Sequence, residues 1–436
     1  MARYDEPLPM LARVDLRGST DVRRALARPP VEGNDVEAAV TSIIAEVRKG
    51  GDGAVRALNS RFNGWNGDIA VPAGEPAAAL ERLDPELRAA LEFARDQIVA
   101  WHEVQLGHEP EHLRSGVRVR EIVVPVDRVG CYVPGGRAPL ASSVLMTALP
   151  ARVAGVRHIA LCTPPRSDGT VHDAILAAAA LAGVDVIYRV GGAQAIAAFA
   201  YGTESIAAVD VIVGPGTAYT AEAKRQVATV VAIDSYAGPS EVAVVADTTV
   251  DPLLVAADML AQAEHGPGGS AAVITWDEDY AEVVESELRT LLGAEGSDAE
   301  GWLRAGGRVV LVDGPEQALE AANAIAPEHL ELMCAGAEDL VHLVRNAGAV
   351  FVGADASAVI GDYVAGVNHV LPTGGTARYT DALRVDDFRK HVHVVSLEPG
   401  ALAGLAPFVT TLADAEGLTA HADAIRLRST QSPEKS

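Results

Sequence analysis

Residues 184–201, VDVIYRVGGAQAIAAFAY, contain the unit that decides the fold of this chain. The run 184–188 is short, apolar and rich in β-branched residues, as buried strands are, and the alanine-rich stretch after Gly192 is typical of a helix. Gly191 and Gly192 supply the tight turn between them. A strand, a glycine turn and a helix in this order predict one strand of a parallel sheet with its crossover helix.

The same pattern recurs from about residue 121 onwards. Further segments have the composition of strands that are buried on both faces of a parallel sheet. These segments are 159–162, 209–213, 242–246, 271–275, 309–312 and 349–352. Helical stretches fall between most of them, so the sequence predicts an α/β protein.

The flanking regions predict helices and one strand. Apolar side chains between residues 36 and 47 recur at helical spacing until Gly50 and Gly51 stop the helix. Pro85 is well placed in the first turn of a second helix that ends near residue 101. Beyond residue 381 we expect a short exposed strand at 391–397 and a last helix at 412–427.

The charge balance argues against some classes of partner. The chain has 436 residues, 59 acidic against 35 basic, and a formal net charge of −24. A polyanion or an anionic membrane surface needs a basic patch, so we expect no nucleic-acid and no membrane partner. The longest apolar run, 174–184, is shorter than the roughly 20 residues of a membrane span. Sparse cysteines and the lack of a signal peptide predict a cytoplasmic protein.

Two further glycine-rich turns occur, at 130–136 and 214–217. Glycine lets the backbone approach a ligand closely, and the N-terminus of the following helix favours a phosphate. Tight turns between strands and helices also need glycine for their own sake. Because no G-x-G-x-x-G stretch occurs, the turns are compatible with a nucleotide site but do not identify the nucleotide.

Four residues together offer nitrogen and oxygen ligands for a metal. Gln262 and His265 lie three residues apart on one face of a predicted helix, although a histidine at a helix end is often only a cap. Asp362 follows a buried strand, where site carboxylates of α/β sheets are common. His421 lies near the start of the last helix. A ligand set without sulfur suits an open, catalytic zinc site, or manganese or cobalt.

Glu328 and His329 are adjacent titratable residues that suit acid–base catalysis. Pro327 is placed to open a helix, which predicts that both lie in its first turn. A histidine can take an alcohol proton near neutral pH, and a carboxylate beside it can activate water. The alternative is a glutamate favoured by the helix dipole next to a capping histidine. His369 lies in a loop among turn residues, where a solvated histidine is equally expected.

Taken in order, these motifs resemble the histidinol dehydrogenase family. The resemblance runs from about residue 30 to residue 428. It rests on GCYVPGG at 130–136, GGAQAIA at 191–197, AGPSE at 237–241, QAEHG at 262–266, APEHLE at 326–331, GDY at 361–363, NHVLPT at 368–373 and EGLTAH at 416–421.

The resemblance implies a residue-by-residue site. One Zn²⁺ per subunit would be held by Gln262, His265, Asp362 and His421. The substrate-binding set would be Ser240, Gln262, His265, His329, Asp362, His369, Glu416 and His421. NAD⁺ would contact Tyr132, Gln194 and position 217. The family has asparagine in that last turn, so Thr217, which is shorter, puts a direct cofactor contact there in doubt.

The resemblance also implies an intertwined homodimer of two incomplete Rossmann-like domains with N- and C-terminal arms. Residues 1–26 would form the N-terminal arm, and residues 27–130 with 242–384 the first α/β domain. Residues 131–241 would form the second, cofactor-side domain. Residues 385–436 would form a C-terminal arm that crosses to the partner, so that Glu416 and His421 complete the other subunit's site.

The implied activity is the NAD-dependent four-electron oxidation of L-histidinol to L-histidine through bound L-histidinaldehyde, the last steps of histidine biosynthesis. His329 would act as general base and Glu328 would activate water, while zinc orients the substrate. Two alternatives remain open. One is a related zinc- and NAD-dependent dehydrogenase of another small alcohol, such as a sulfopropanediol. The other is a catalytically silent metal-binding dimer.

Overall fold

The computed structural model describes residues 10–26, 36–107, 109–135, 138–235, 238–293 and 298–431. The strands are β1 (Ala12–Asp15), β2 (Glu111–Arg114), β3 (Val117–Pro125), β4 (Arg128–Tyr132), β5 (His158–Thr163), β6 (Val186–Arg189), β7 (Val211–Val213), β8 (Ala232–Ile233), β9 (Glu241–Ala246), β10 (Ser270–Thr275), β11 (Gly307–Leu311), β12 (His329–Met333), β13 (Ala349–Val352) and β14 (Arg389–Leu397).

The α-helices are α1 (Val22–Ala25), α2 (Val36–Asn63), α3 (Glu75–Arg82), α4 (Pro85–Val104), α5 (Ala141–Val153), α6 (Asp173–Leu181), α7 (Gly192–Tyr201), α8 (Ala218–Val227), α9 (Pro252–Ala263), α10 (Glu278–Leu292), α11 (Asp298–Gly306), α12 (Pro315–Ile325), α13 (Ala337–Leu340), α14 (Ala358–Tyr363), α15 (Ala401–Ala415) and α16 (Thr419–Gln431). Short 3₁₀ turns lie at Val341–Leu343, Thr376–Arg378 and Val385–Phe388. No helix within the described residues combines the length and the apolar character that crossing a bilayer requires.

The chain divides into two compact units. The first comprises Met1–Gln105 and Val126–Phe388, and the second comprises Leu106–Pro125 and Arg389–Ser436. The division into domains that the sequence predicts is not the same, and it stays a prediction. Residues 12–15, which fall in the predicted N-terminal arm, form the edge strand β1 of a sheet in the first unit.

The first unit contains two parallel sheets with the same internal strand order. In the five-stranded sheet the order is β6-β5-β4-β7-β8, and in the six-stranded sheet it is β1-β11-β10-β9-β12-β13. When the strands β4–β8 of one sheet and β9–β13 of the other are each numbered 1 to 5 along the chain, both sheets have the order 3-2-1-4-5. Strand β1 is an additional edge strand of the six-stranded sheet, beside β11. This is a Rossmann-type order that lacks its sixth strand, so the predicted α/β fold is confirmed.

Alternate residues of a strand point to opposite faces of the sheet, and in these strands the residues on both faces are apolar. Helices therefore cover both faces of each sheet. Helices α2, α7 and α8 pack on one face of the five-stranded sheet, and α3 to α6 pack on the other. Helices α9 to α11 and helices α1 and α12 flank the six-stranded sheet in the same way. Along β9, Val242 and Val244 face the first of these layers, while Ala243 and Val245 face the second.

The second unit is built on a small antiparallel sheet. Its strand order is β14-β3-β2, and β14 pairs with β3 from Arg389↔Pro125 to Leu397↔Val117. Helices α15 and α16 follow. They replace the single helix predicted at 412–427, because Gly417, with a φ of 74°, interrupts the chain between them. The exposed strand predicted at 391–397 is confirmed within β14.

The predicted strands of the first unit are all confirmed within a few residues, and the helix predicted from Pro85 is confirmed as α4. The stop predicted at Gly50 and Gly51 is confirmed, because α2 consists of two helices that meet at a kink there. Gly51 leaves the helical conformation with φ 51° and ψ −136°, and the second helix continues to Asn63. Glycine adopts a positive φ at little steric cost, so it can interrupt the helical hydrogen bonds at this point.

A buried ion pair fixes the turn after β7. Lys224 and Asp234 have side chains only 2% and 3% exposed, and Nζ lies 2.6 Å from Oδ1. Lys224 also donates to the carbonyl oxygen of Gly214, while the N–H of Gly214 donates to Asp234 Oδ2 at 2.7 Å. A side chain at Gly214, whose φ is 116°, would have its Cβ 2.0 Å from the Tyr132 carbonyl oxygen. The turn therefore needs both the glycine and the ion pair.

Replacement of Lys224 by methionine is expected to lower the free energy of unfolding by roughly 3–5 kcal/mol, because a buried carboxylate is left without its cation. Denaturant unfolding of the purified variant measures this change. The matched control is the double variant Lys224→Met/Asp234→Asn, which removes both charges and is expected to recover most of the loss. If the free energy of unfolding of Lys224→Met lay within about 1 kcal/mol of the wild-type value, Asp234 would not depend on Lys224 for its stability in the core.

Candidate active site

A cavity of about 1170 Å³ lies between the two sheets of the first unit. One wall is the carboxyl edge of the five-stranded sheet, with Pro134 after β4 and the turn Pro215–Thr217 after β7. The opposite wall is the amino edge of the six-stranded sheet, with Ser240 before β9 and His329 at the start of β12. In both sheets these two strands are the pair where the strand order reverses. In the five-stranded sheet the cavity lies at the carboxyl ends of that pair, which is where open α/β sheets bind ligands.

The strand β12 corrects the helix predicted from Pro327. Helix α12 ends at Ile325, and Ala326 caps it in the left-handed conformation. Pro327 therefore follows the end of a helix and does not open a new one. Proline is common at this position because it cannot continue a helix. Glu328 precedes β12 and His329 is its first residue, paired with Val242 and Ala349. The alternative of helix-terminal capping roles for these two residues is wrong as well.

Glu328 is held at the amino edge of the sheet by two donors. Ser240 Oγ donates to Glu328 Oε2 at 2.5 Å, and the N–H of Glu241 donates to the same oxygen at 2.9 Å. Burial raises the pKa of Glu328 to about 8, although both hydrogen bonds act to lower it. A carboxyl group whose pKa lies this close to neutral pH can both take up and release a proton.

His329 lies between two carboxyl groups and is 3% exposed. Its Nδ1 is 3.8 Å from Glu328 Oε2, and its Nε2 is 3.7 Å from Asp362 Oδ1. Burial lowers the pKa of His329 to about 3, and the charge of His265 acts in the same direction. Nδ1 is buried without a hydrogen-bond partner. The imidazole is therefore neutral at neutral pH, and a neutral imidazole has one nitrogen that can accept a proton.

Asp362 reaches this edge from the end of α14. Its position corrects the expectation that it lies at the carboxyl end of a strand, because α14 carries the chain back to the start of β12. Gly361 permits the approach, since a Cβ there would lie 2.5 Å from Phe351 Cζ. Burial raises the pKa of Asp362 to about 6, and the charge of His265 lowers it.

Three of the four predicted metal ligands lie near one another here. Gln262 lies in the last turn of α9, whereas His265 follows the helix end and is not on the helix face that the sequence predicts. Gln262 Oε1 lies 3.3 Å from Ser240 Oγ. His265 and Asp362 line the cavity. Gln262 Nε2 is buried without a partner, and the Asp362 carboxylate is desolvated. Nitrogen and oxygen donors next to a desolvated carboxylate fit a bound divalent cation such as zinc.

This donor set is incomplete within the first unit. Among the described residues, no three His, Cys, Asp or Glu side chains are grouped so that they could hold a metal ion. A metal bound beside Asp362 and His265 therefore needs the Gln262 amide and a ligand from elsewhere. The remaining predicted residues, Glu416 and His421, lie in the second unit, at the C-cap of α15 and in α16.

His369 lines the cavity and has a serine partner that the sequence did not reveal. Its Nδ1 lies 2.9 Å from the main-chain oxygen of Asp362, and its Nε2 lies 3.2 Å from Ser143 Oγ. The solvated histidine expected as an alternative is therefore wrong. Ser143 lies in the first turn of α5, more than 200 residues away in sequence, and no local motif marks it.

Of the three residues predicted to contact the cofactor, one lines the cavity and two are buried away from it. Thr217 lines the cavity at the N-cap of α8. Tyr132 is 3% exposed and its hydroxyl accepts a hydrogen bond from the N–H of Gly192 at 3.0 Å. Gln194 is 1% exposed, and its Oε1 is buried without a partner. Tyr132 and Gln194 are not among the residues that line the cavity, so all three contacts stay predictions.

Two Rossmann-type sheets with a buried carboxyl–imidazole pair at the cavity between them are typical of an α/β enzyme. The sequence profile of histidinol dehydrogenase matches residues 26–429 of the chain. The histidinol dehydrogenase of Rhizobium meliloti (strain 1021) is 48% identical over 402 residues, covering 90% of this chain and 92% of that protein. The one from Gluconobacter oxydans (strain 621H) is 44% identical over 418 residues, covering 94% and 96%.

A solved structure agrees over nearly the whole length. The crystal structure of histidinol dehydrogenase from Elizabethkingia anophelis has a TM-score of 0.92 at 34% identity and covers 98% of this chain and 99% of that one. The chain belongs to the histidinol dehydrogenase family.

Proposed function

We propose that the protein oxidises L-histidinol to L-histidine through bound L-histidinaldehyde, with NAD⁺ as oxidant and zinc at the site, in the last steps of histidine biosynthesis. The observation that supports this most directly is the buried Glu328–His329 pair beside His265 and Asp362 in one cavity. The three cysteines, Cys131, Cys162 and Cys334, are buried free thiols, which suits the reducing cytoplasm where we place the enzyme.

Both cofactors would bind to residues already described. NAD⁺ would supply the hydride acceptor, and zinc, which Gln262, His265, Asp362 and His421 would hold, would orient the substrate. The cavity of about 1170 Å³ exceeds the usual size of a small-molecule pocket and has room for a dinucleotide beside an amino alcohol.

His329 and Glu328 divide the proton transfers between them. Because burial keeps His329 neutral, its imidazole accepts the alcohol proton in the first oxidation. Ser240 and the Glu241 N–H both donate to Oε2 of Glu328, which leaves Oε1 to take a proton from the water that attacks the aldehyde. As water adds, His329 returns its proton to the carbonyl oxygen, so the hydrate forms and the imidazole is neutral again. His329 can then accept a proton from the hydrate in the second oxidation. A buried site also protects the aldehyde from amines in solution.

The proposed active unit is an intertwined homodimer. Two predicted site residues, Glu416 and His421, lie in a unit separate from the cavity, and the ligand set of the first unit is incomplete. A C-terminal arm that crosses to the second subunit would bring Glu416 and His421 to its site. In this arrangement the C-terminal residues of one subunit would complete the site of the other.

A substrate comparison tests the proposed function. The zinc-loaded protein is incubated with NAD⁺ and either L-histidinol or a sulfonated propanediol, and NADH formation is followed by absorbance. We expect NADH from L-histidinol alone, since the ligand set offers places for an amine and an imidazole. NADH from the sulfonated alcohol alone would assign the protein to the related class of dehydrogenases, and NADH from neither would favour a catalytically silent metal-binding dimer.

Removal of zinc by a chelator is expected to lower the rate of L-histidinol oxidation by at least about 100-fold, because fixing the substrate at a metal contributes several kcal/mol. Metal analysis of the protein before and after chelation accompanies the rate measurement. Zinc is expected to restore the rate, and magnesium is the matched control, because a hard cation binds nitrogen ligands poorly. A zinc-free protein with full activity would contradict the assigned role of the metal.

A further inference from the structure

Both ring nitrogens of His369 have fixed partners. Nδ1 lies 2.9 Å from the main-chain oxygen of Asp362, and Nε2 lies 3.2 Å from Ser143 Oγ. A carbonyl oxygen can only accept a hydrogen bond, so Nδ1 must carry the proton. The second nitrogen of a neutral imidazole then carries no proton and can only accept, so the hydroxyl of Ser143 must donate to it.

The position of Ser143 in α5 leaves its hydroxyl free for this contact. Helical serines commonly donate to the carbonyl group four residues earlier. Helix α5 begins at Ala141, so for Ser143 that carbonyl lies before the helix. One turn later, Thr147 does make the usual contact and donates to the Ser143 carbonyl oxygen at 2.7 Å. The donor of Ser143 is therefore directed to His369 and not to its own helix.

The loop that carries His369 is fastened to the same helix. Asn368 Nδ2 donates to the main-chain oxygen of Met146, in α5, at 2.7 Å, and Asn368 Oδ1 accepts from the N–H of Val370 at 2.9 Å. Asn368 is 3% exposed. These bonds hold the loop and the first turns of α5 at a fixed separation, so the contact between Ser143 and His369 does not depend on one hydrogen bond alone.

We propose that Ser143 is a specificity-determining residue that fixes the Nδ1-protonated form of His369 and presents its own oxygen as an acceptor to the substrate. The Ser143 hydroxyl donates its only proton to His369, so its oxygen can act towards the substrate only as an acceptor. Ser143 lines the cavity in which the substrate would bind. An amino alcohol with an imidazole ring offers several N–H and O–H donors to such an acceptor. The contact between Ser143 and the substrate rests on the proposed function, whereas the contact between Ser143 and His369 does not.

The same geometry separates the roles of His329 and His369, which both line the cavity. His329 has an unpartnered nitrogen and suits proton transfer, whereas His369 has both nitrogens engaged and acts by position. Loss of the Ser143 hydroxyl should therefore weaken binding of the substrate more than it slows the chemical steps, because a ground-state contact is removed.

The experiment compares Ser143→Ala and Ser143→Thr with the wild type as zinc-loaded enzymes. In ¹⁵N-histidine NMR spectra, the wild type should show His369 protonated at Nδ1, and Ser143→Ala should shift the Nε2 signal. Ser143→Ala should raise KM for L-histidinol about 5- to 10-fold while kcat changes by less than about 3-fold, as expected for one lost hydrogen bond. Ser143→Thr, which keeps the hydroxyl, should restore the Nε2 signal and most of KM.

The matched control for the ring signal is Ser142→Ala, which removes an oxygen one residue away and should leave the His369 signals unchanged. A proton on Nε2 of His369, or the same Nε2 signal in Ser143→Ala, would overturn the assigned contact. A fall in kcat at constant KM would overturn the specificity role. If the wild type forms no NADH from L-histidinol, the proposed function and the substrate contact fail together, while the NMR spectra still decide the contact between Ser143 and His369.

Discussion

Replacement of His329 by alanine is expected to lower kcat for L-histidinol oxidation by about 10²–10⁴-fold, the usual contribution of a positioned general base. His329 is the neutral, buried imidazole with a free nitrogen in the cavity. It is not a predicted metal ligand, so zinc should stay bound at one per subunit. Steady-state kinetics and metal analysis of the same preparation measure the two effects together.

His265→Ala is the matched control for that variant. It removes a second histidine from the same cavity, but one that belongs to the predicted ligand set. This variant should lose zinc as well as activity. Loss of zinc from His329→Ala, with zinc retained in His265→Ala, would reverse the two assignments.

Removal of residues 412–436 is expected to abolish activity and to weaken zinc binding, because Glu416 and His421 are lost. The first unit holds the cavity and its own sheets, so the shortened chain should keep the circular dichroism spectrum of a folded α/β protein. The single variant His421→Ala is the narrower control and should also lose zinc. A fully active shortened chain would rule out the swapped C-terminal arm.

Mixing two inactive variants tests whether the arm crosses between subunits. If sites are shared, a dimer of His329→Ala and His421→Ala subunits has one site with both defects and one site with neither. Unfolding and refolding an equal mixture should therefore recover activity that neither variant shows alone. If each subunit completes its own site, every site has one defect and no activity returns.

Much of the fold could be predicted because strands buried on both faces are uniformly apolar. The segments of β5, β6, β9, β10 and β13 stand out from the alanine-rich helices for that reason. The sequence predicts a helix in place of β12 because Pro327 suits the first turn of a helix, while Glu328, His329 and Glu331 interrupt the apolar character of the strand. All three are buried at the site end of the strand, where function overrides the usual composition.

Site candidates could be found where they are close in sequence, as with Gln262 and His265, whose spacing predicts a shared role as metal ligands. Contacts between distant segments left no local signal. Ser143 and His369 are brought together only by the packing of α5 against a loop, and Lys224 meets Asp234 only across the turn after β7. Neither pair has a spacing that any local periodicity would reveal.

The proposal that one site carries out both oxidations is tested most directly by counting NADH. The measurement is the number of NADH molecules formed for each histidine produced from L-histidinol by the zinc-loaded enzyme. Two oxidations at one site predict two NADH per L-histidine, with no aldehyde released into solution. One NADH per molecule of substrate, with free aldehyde accumulating, would contradict the proposal that Glu328 and His329 carry both oxidations in the same cavity.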